Sequence, residues 1–312
     1  MTKHFHPRNR HQGHYDFAKL CAADQDQGSE SLAHFLQTTP SNQTSIDFSQ
    51  ALAVKALNRA LLKESYGIQA WDIPTDFLCP PVPGRADYLH CVADLLMSTN
   101  KNKLPKSKLI QALDIGTGAN GIYPLIGVSE YAWQFVASDI NPKSLENVQR
   151  ILDANPKHAQ KIELRLQTQA QAIFKNIVKD TDWFDVTLCN PPFHTSQAEA
   201  KAGTERKWAN LGKTGDSLNF GGQEAELWCP GGELHFIQRM IQESTHIAKH
   251  CLWFTTLVSK SEHLPALSAS LKKAKVADQR VIAMQQGQKQ SRLLAWTFLN
   301  PTQQAAWAKL RF

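Results

Sequence analysis

The feature that most constrains the fold is an alternation of short apolar runs with helical stretches, which begins near residue 109. Such an alternation is typical of parallel strands joined by crossover helices. The last two runs are separated only by residues 285–291. A parallel crossover needs about a dozen residues or more, so these two strands should pair antiparallel. We predict strands at about 109–114, 134–139, 162–166, 184–189, 251–258, 276–284 and 292–299, and helices near 143–154, 232–248 and 262–274.

The residues before this alternation are predicted to be mainly helical. Between 47 and 66, apolar side chains recur every three or four residues, and Gly67 is placed to end a helix. A second helix is predicted over 86–96, and the four prolines within 72–84 predict an irregular loop before it. We therefore expect a small helical region over 1–100 and an α/β domain over 101–312, built on a seven-stranded sheet with an antiparallel last strand.

The charge is modestly positive and unevenly placed. The chain has 312 residues, with 34 Lys and Arg against 28 Asp and Glu, which gives a net charge of +6. Residues 1–15 contain Lys3, Arg8, Arg10 and four histidines but no acid, and a second basic cluster lies between 270 and 292. Clusters of this kind neutralise phosphates, so the pattern favours a nucleic-acid partner.

The composition also predicts where the chain acts. No apolar run approaches the roughly 18 residues of a membrane helix, and the N-terminus lacks the apolar segment of a secretory signal. The six cysteines are far apart and contain no C-x-x-C spacing, which argues against zinc and against disulfides. We expect a cytoplasmic protein that uses neither a membrane nor a metal.

A glycine-rich motif follows the first predicted strand of the sheet. Gly116, Gly118 and Gly121 form G-x-G-x-x-G, whose glycines let the backbone turn sharply and approach a ligand. Asp139 ends the next strand, where a carboxylate can accept hydrogen bonds from two ribose hydroxyls. This pair predicts a nucleoside cofactor but does not distinguish NAD from S-adenosylmethionine.

The sequence Asn190-Pro191-Pro192-Phe193 ends another predicted strand and favours S-adenosylmethionine. An adenine N6 amine is a poor nucleophile because its lone pair is delocalised into the ring. If the side-chain oxygen of Asn190 and the carbonyl of Pro191 both accept hydrogens from the amine, its nitrogen can pyramidalise toward an electrophilic methyl group. Phe193 could stack on the same base. The motif therefore predicts methylation of an amine.

At these motifs the chain resembles the S-adenosylmethionine-dependent amino-methyltransferases of the Rossmann-like superfamily. Further stretches resemble the bacterial ribosomal RNA large subunit methyltransferase F family, and the resemblance covers nearly the whole chain. They are His6 to His11, Trp71 to Pro74, Phe77 to Tyr88 and Asp114 to Asn120. The resemblance implies N6-methylation of adenine 1618 in 23S ribosomal RNA. The implied partner is that RNA or a ribosomal assembly intermediate, bound by a monomer.

The resemblance and the motifs together predict the site residues. The catalytic residues are Asn190, Pro191, Pro192 and Phe193. The cofactor-binding residues are Arg85, Asp114, Gly116, Gly118, Asn120, Gly121 and Asp139, with Gln169 chosen among residues 167–169 as the contact to the adenine ring of the cofactor. The RNA-binding residues are Lys3, Arg8, Arg10 and Lys207. The glycine-rich segment 194–232, which follows the base pocket, is predicted to be a lid over the substrate.

Three alternatives remain open. A protein glutamine N5-methyltransferase would use the same motif, because an amide nitrogen presents the same chemical problem. A non-catalytic RNA-binding scaffold is disfavoured by the intact set of Gly116, Asp139 and Asn190. A nicotinamide-dependent oxidoreductase is disfavoured by the Asn-Pro-Pro-Phe sequence.

Overall fold

The fold is that of a computed structural model, which describes residues 5–105, 110–194, 228–286 and 289–312. The α-helices are α1 (Phe17–Ala23), α2 (Ala51–Tyr66), α3 (Val82–Thr99), α4 (Ile122–Tyr131), α5 (Pro142–Asp153), α6 (Pro156–Ala159), α7 (Gly232–Ser244), α8 (Leu264–Lys273) and α9 (Pro301–Arg311). The strands are β1 (Leu36–Thr38), β2 (Thr44–Ile46), β3 (Gln111–Ile115), β4 (Gln134–Asp139), β5 (Ile162–Leu166), β6 (Phe184–Cys189), β7 (Cys251–Val258), β8 (Asp278–Gln286) and β9 (Lys289–Thr297). Short 3-10 turns cover Gln25–Glu30, Leu32–Phe35, Thr245–Ile247 and Ser261–His263.

The central sheet has seven strands in the order β5-β4-β3-β6-β7-β9-β8. Strands β3 to β7 pair in parallel, whereas β9 pairs antiparallel with both β7 and β8. In register, Leu113 lies opposite Val136 on one side and Thr187 on the other. The predicted α/β sheet with an antiparallel last strand is confirmed.

The direction in which successive strands are added reverses between β3 and β6. The chain runs outward through β4 and β5, then returns to place β6 on the other side of β3. In open α/β sheets, ligands bind at such a reversal, beyond the carboxyl ends of the strands. The loops that follow β3 and β6 carry the glycine motif and Asn190, so the topology brings both motifs to one crevice.

Apolar side chains pack on both faces of the sheet. One cluster joins helices α2, α3 and α4 to inward-facing residues of β3, β4 and β6. The other lies beneath α7 and α8 and includes Phe174, Phe254 and Trp296. The N-terminal helices thus share a continuous core with the sheet. The division into regions 1–100 and 101–312 stays a prediction.

Helix α3 begins earlier than predicted. It starts at Val82, and Pro83 occupies its first turn, where a missing backbone N–H costs no helical hydrogen bond. The irregular loop therefore ends at Pro81, not at residue 84. In the described part of the chain, no helix is long and apolar enough to cross a membrane.

Candidate active site

The glycine loop between β3 and α4 turns sharply. Gly116 and Gly118 both have positive φ values, 72° and 63°, which L side chains rarely adopt. The N–H groups of Gly116 and Thr117 both donate to the Ser138 carbonyl at 2.9 Å, which ties the loop to the end of β4. A Cβ atom at Gly116 would meet nothing within 4 Å. Gly116 therefore presents bare backbone to open space, as a close ligand approach requires.

The third glycine has a different role. Gly121 also has a positive φ and begins helix α4, but an added Cβ would lie 3.2 Å from Val148 Cγ1. It does not line the cavity described below, so its position is explained by the turn and by tight packing against α5. Asn120, between Gly118 and Gly121, does line the cavity, and its side-chain oxygen accepts a hydrogen bond from the Ile122 N–H.

Asp139 lies at the end of β4 and is 9% exposed. One of its carboxylate oxygens accepts from the Gly118 N–H at 2.8 Å and the other from the Asn141 N–H at 2.9 Å. Each oxygen keeps a lone pair for a further donor, such as a ribose hydroxyl. Helix α5 is capped by Asn141, whose side chain accepts from the Lys143 N–H. The Asp139 carboxylate therefore does not serve as the N-cap of that helix.

Asp114 is fully buried at the end of β3. Burial raises the pKa of its carboxyl to about 7, whereas nearby Thr117 and Arg85 favour ionisation. Within the described chain, neither carboxylate oxygen makes a hydrogen bond of acceptable geometry, and neither does the Thr117 hydroxyl. Asp114 does not itself line the cavity described below, but its neighbours Ile115 and Gly116 do. A buried carboxylate without a well-formed hydrogen bond is costly, and a nearby cationic or hydrogen-donating ligand would offset that cost.

Arg85 extends from the first turn of α3 into the same crevice. Its Nη1 donates to the Tyr123 hydroxyl at 2.8 Å, and its guanidinium carbon lies 5.6 Å from the centre of the Tyr123 ring. Its Nε is buried and, among the described residues, has no hydrogen-bond partner. The guanidinium is thus held by Tyr123, and its buried Nε–H is available to a ligand.

Asn190 follows β6, whose end is held by α3. The Cys189 N–H donates to the Tyr88 hydroxyl, which lies 2.7 Å from Thr255 Oγ1. Because Thr255 Oγ1 donates to the Thr187 carbonyl, the Tyr88 hydroxyl is the donor to Thr255. The Asn190 Oδ1 atom is buried, and the described residues offer it no hydrogen bond. The crevice therefore contains an acceptor that no described residue satisfies.

Only part of the motif lines the crevice. Pro192 lines the cavity together with Asn190, whereas Pro191 and Phe193 do not. His194 forms an isolated bridge with Trp228, and the Cys229 N–H donates to the His194 carbonyl. Trp228 lines the cavity, and its indole N–H is buried with no acceptor in the described chain. Only the two ends of the predicted lid, 194 and 228–232, are among the described residues.

Among residues 167–169, the one that lines the cavity is Gln167. It is buried, and its backbone N–H donates to the Asp139 carbonyl. Gln169 does not line the cavity, and its N–H donates to the Gln167 side chain. The Gln167 side chain is held within the protein, because its NH₂ group also donates to the Lys175 carbonyl at 2.8 Å. The assignment of the adenine contact to Gln169 stays a prediction, with Gln167 as the neighbour that lines the cavity.

Many of these groups line one cavity with a volume of about 420 Å³. This volume is within the usual range for a small-molecule site, roughly 300–1,000 Å³. Its lining includes Arg85, Gly116, Gly118, Asn120, Asp139, Ile140, Gln167, Asn190, Pro192, Phe236 and Arg239. Among the residues that the structure describes, no cluster of three or more His, Cys, Asp or Glu side chains could hold a metal ion.

The N-terminal residues are packed against the protein. The Arg8 guanidinium donates to Asp94, to the Tyr131 hydroxyl and to the His90 carbonyl, and Arg10 pairs with Glu130 at 2.8 Å. Burial also lowers the pKa of His11 to about 4, so this side chain is uncharged at neutral pH. Much of the predicted positive charge of this segment is therefore paired or absent. Lys3 and Lys207 lie outside the described residues.

The cavity fits S-adenosylmethionine. The exposed backbone of the glycine loop, the Asp139 carboxylate and the unsatisfied groups of Asp114 and Arg85 suit a ligand that joins a nucleoside to an amino acid. The unsatisfied Asn190 oxygen lies in the same cavity, where a substrate amine must meet the methyl donor. The fold and this site define an S-adenosylmethionine-dependent methyltransferase.

Comparisons with known proteins give the family. A family model described as RNA methyltransferase matches residues 1–300. The chain is 52% identical over 322 residues to a ribosomal RNA large subunit methyltransferase F of Methylobacillus flagellatus, covering 97% of this chain and 94% of the relative. It is 51% identical to the protein of the same name from Pseudomonas putida, covering 98% and 96%. The chain belongs to this RNA methyltransferase family.

Solved structures of a human protein are also similar. The catalytic domain of human METTL16 in complex with the MAT2A 3′UTR hairpin 6 has a TM-score of 0.77 and 29% identity, with 96% of this chain and 98% of that chain covered. The N-terminal domain of human METTL16 in complex with SAH has a TM-score of 0.74 and 26% identity, with 95% and 99% covered.

Several residues of the site were missed by sequence reasoning. Tyr88 and Tyr123 lie within apolar helices, where the sequence pattern indicates a core residue and not a residue of the site. Trp228 and Arg239 lie beyond the long segment that follows Phe193, and the pattern gives no reason to bring them back to the crevice. In each case the contact joins residues far apart in the chain, which only the fold determines.

Proposed function

We propose that the chain transfers the methyl group of S-adenosylmethionine to the N6 nitrogen of an adenine in 23S ribosomal RNA, and that this adenine is nucleotide 1618. The names of relatives about half identical over nearly the full length support a ribosomal RNA substrate. The observation that carries the chemistry is Asn190 Oδ1, a buried acceptor in the lining of the cofactor cavity for which the described residues provide no donor.

The role of Asn190 follows from the weakness of the nucleophile. An acceptor at Asn190 Oδ1 and a second at the Pro191 carbonyl would each take one hydrogen of the amine. The lone pair then leaves conjugation with the ring and points at the methyl carbon. A C–N bond forms as the C–S bond breaks, and the amine afterwards releases one proton to water. Orientation is the main source of rate in this scheme.

The bound cofactor supplies a methyl group made electrophilic by a sulfonium. The chain's own groups orient it: Arg85 would bind the carboxylate of the amino-acid end, Asp139 the ribose hydroxyls, and the bare backbone of Gly116 and Gly118 would allow close approach. Asp114, ionised above about pH 7, would face the positive end of the ligand.

The remaining assignments concern RNA. Phe193, which directly follows Pro192 of the cavity lining, would stack on the target adenine once the adenine leaves its RNA helix. We propose that segment 194–232 closes over that base and that Lys3, Arg10 and Lys207 contact phosphates. The helical residues before 100 would form most of the RNA surface. In this proposal the chain acts as a monomer in the cytoplasm, on free RNA or an assembling particle.

The product of the reaction tests the proposal. A donor labelled in its methyl group is incubated with ribosomal RNA from a strain that lacks the enzyme, and the RNA is then digested to nucleosides. We expect label in N6-methyladenosine, and little label when the RNA comes from the parent strain, whose site is already methylated. Label in another nucleoside, or in glutamine when ribosomal protein is supplied, would contradict it.

A further inference from the structure

Trp228 presents a buried hydrogen-bond donor to the cofactor cavity. The residue lines the cavity, and its Nε1 atom is buried without an acceptor among the described residues. An indole N–H can only donate, and a buried one usually has a partner. The fully buried Trp253 and Trp296, by contrast, donate to Thr99 and Ser244 at 2.9 and 3.0 Å. The unused donor of Trp228 therefore indicates an acceptor that a ligand supplies.

Backbone contacts place Trp228 beside the loop that carries Asn190. His194, four residues after Asn190, forms a parallel bridge with Trp228, and its carbonyl accepts from the Cys229 N–H at 3.1 Å. At the other end of the loop, burial raises the pKa of the Cys189 thiol, and the nearby Cys229 raises it further. The chain at 228–229 thus runs alongside the loop 189–194, from which the target amine is proposed to be held.

The two unused groups in this part of the cavity are complementary. Asn190 Oδ1 is an acceptor and Trp228 Nε1 is a donor, and the described residues satisfy neither. On its Watson–Crick edge, adenine shows the N6 amine, a donor, next to N1, an acceptor. Guanine shows the opposite pair, because its O6 accepts and its N1–H donates. A base that gives its amine to Asn190 therefore presents the acceptor that Trp228 lacks.

We infer that Trp228 is a substrate-binding residue whose indole N–H donates to N1 of the target adenine. This bond would fix the rotation of the base, so that the amine faces both Asn190 and the methyl group. It would also disfavour guanine, whose N1–H would meet the indole N–H with no acceptor between them. The inference rests on the proposed methylation of adenine N6 and adds the residue that reads the neighbouring ring nitrogen.

Arg239 carries a second unused donor in the same cavity and provides a comparison. It lines the cavity, its Nη1 donates to Gln171 Oε1 at 3.2 Å, and its guanidinium carbon lies 5.5 Å from the centre of the Phe236 ring. Its Nε is buried and has no acceptor in the described part of the chain. Arg239 is anchored to the segment that follows β5, whereas Trp228 contacts the loop that follows β6. We therefore assign the N1 contact to Trp228.

Base analogues test this contact one atom at a time. 23S ribosomal RNA is rebuilt by ligation with adenine, 1-deazaadenine or 3-deazaadenine at the target position, and kcat/KM for methylation is measured for each RNA. 1-Deazaadenine keeps the amine but has a C–H in place of N1, whereas 3-deazaadenine has a C–H in place of N3. The proteins are the parent, Trp228→Phe, which keeps an aromatic ring without the N–H, and Arg239→Met. The Kd for S-adenosylhomocysteine and the melting temperature are measured for each protein.

In the parent protein, we expect 1-deazaadenine to lower kcat/KM about tenfold more than 3-deazaadenine does, as loss of one buried hydrogen bond predicts. Trp228→Phe should methylate adenine about tenfold more slowly than the parent, and 1-deazaadenine should bring no further loss attributable to N1. Arg239→Met should respond to 1-deazaadenine as the parent does. The effect of the altered ring on the amine itself is the same in every protein and cancels in the comparison. Each value is a ratio within one protein, so a smaller folded fraction does not change it.

The outcomes distinguish this inference from the proposed function. An equal effect of 1-deazaadenine in the parent and in Trp228→Phe would overturn the inference and leave N6-methylation intact. If the effect disappears in Arg239→Met but persists in Trp228→Phe, Arg239 is the donor to N1 and the inference is wrong. If the parent does not methylate the rebuilt RNA that contains adenine, the proposed function itself fails, and the inference fails with it.

Discussion

The Asn147 side chain of α5 donates to the Ala119 carbonyl of the glycine loop at 2.7 Å. The same NH₂ group donates to the Asp72 carbonyl at 2.8 Å, and the Trp71 indole N–H donates to the Asn120 carbonyl at 2.9 Å. Two carbonyls of the loop that should hold the cofactor are thus fixed by residues outside the loop. The N-terminal region therefore takes part in shaping the cofactor site.

This relationship predicts that Asn147→Asp weakens cofactor binding. An ionised aspartate has no donor, so two carbonyl oxygens would face a carboxylate. We expect the Kd for S-adenosylhomocysteine to rise about tenfold, with about 1–3 kcal/mol lost from the free energy of unfolding. Calorimetry and denaturant titration measure the two effects.

Asn155→Asp is the matched control for that variant. The Asn155 NH₂ group donates to the carbonyls of Ala70 and Ile151, both at 2.8 Å, and neither belongs to the glycine loop. It should cost similar stability and leave ligand affinity nearly unchanged. Equal losses of affinity in the two variants would show that Asn147 acts only through general stability.

Cofactor affinity should depend on pH through Asp114. Burial raises the pKa of this carboxyl to about 7. The positive charges of S-adenosylmethionine favour the ionised carboxylate, so affinity should increase as pH rises from about 6 to 8. Calorimetry across this range should show the increase in the parent protein and a flatter profile in Asp114→Asn. Parallel profiles would contradict the assignment of Asp114 to the cofactor site.

The stability of the unliganded protein should change in the opposite sense. The pKa of Asp114 is higher in the folded state than in the unfolded chain, where it is about 3.9. Between about pH 4 and 7 the folded state therefore binds more protons at this group, and its contribution to stability falls as pH rises. Asp114→Asn lacks this decline. Denaturation should therefore show that the stability of the variant, measured relative to the parent protein, is higher at pH 8 than at pH 5.

Arg8 is expected to stabilise the fold and to contribute little to RNA binding. Its contacts with Asp94, Tyr131 and the His90 carbonyl are all within the protein. Because the side chain is partly exposed, Arg8→Met should cost about 1–2 kcal/mol, against less than about 1 kcal/mol for Arg10→Met at its surface ion pair. A lower salt slope of RNA binding with unchanged stability would restore Arg8 as a phosphate contact.

Much of the fold is predictable because its central strands are buried on both faces. Such strands give mainly apolar runs, so the bounds of β4, β6 and β7 agree with those predicted. The predicted bounds of β5 agree as well, although this edge strand is only partly buried. The final hairpin is displaced, since its pairing continues through polar residues to Gln286 and Lys289, which give no apolar signal. The site was predictable where a motif follows a strand. The contacts of Asn147, Arg8 and Arg239 were not, because each depends on a partner brought close only by folding.

The most direct test of the account is the single-turnover methylation rate of Asn190→Ala at saturating RNA and cofactor. Asn190 is proposed to act as the nitrogen rehybridises, so the rate should fall about 10²-fold or more while the Kd for S-adenosylhomocysteine is unchanged. Phe193→Ala provides the comparison, because loss of stacking should also weaken RNA binding, by roughly 1–3 kcal/mol. A parent-like rate for Asn190→Ala would show that this residue only ends a strand and would contradict the proposed activation of the amine.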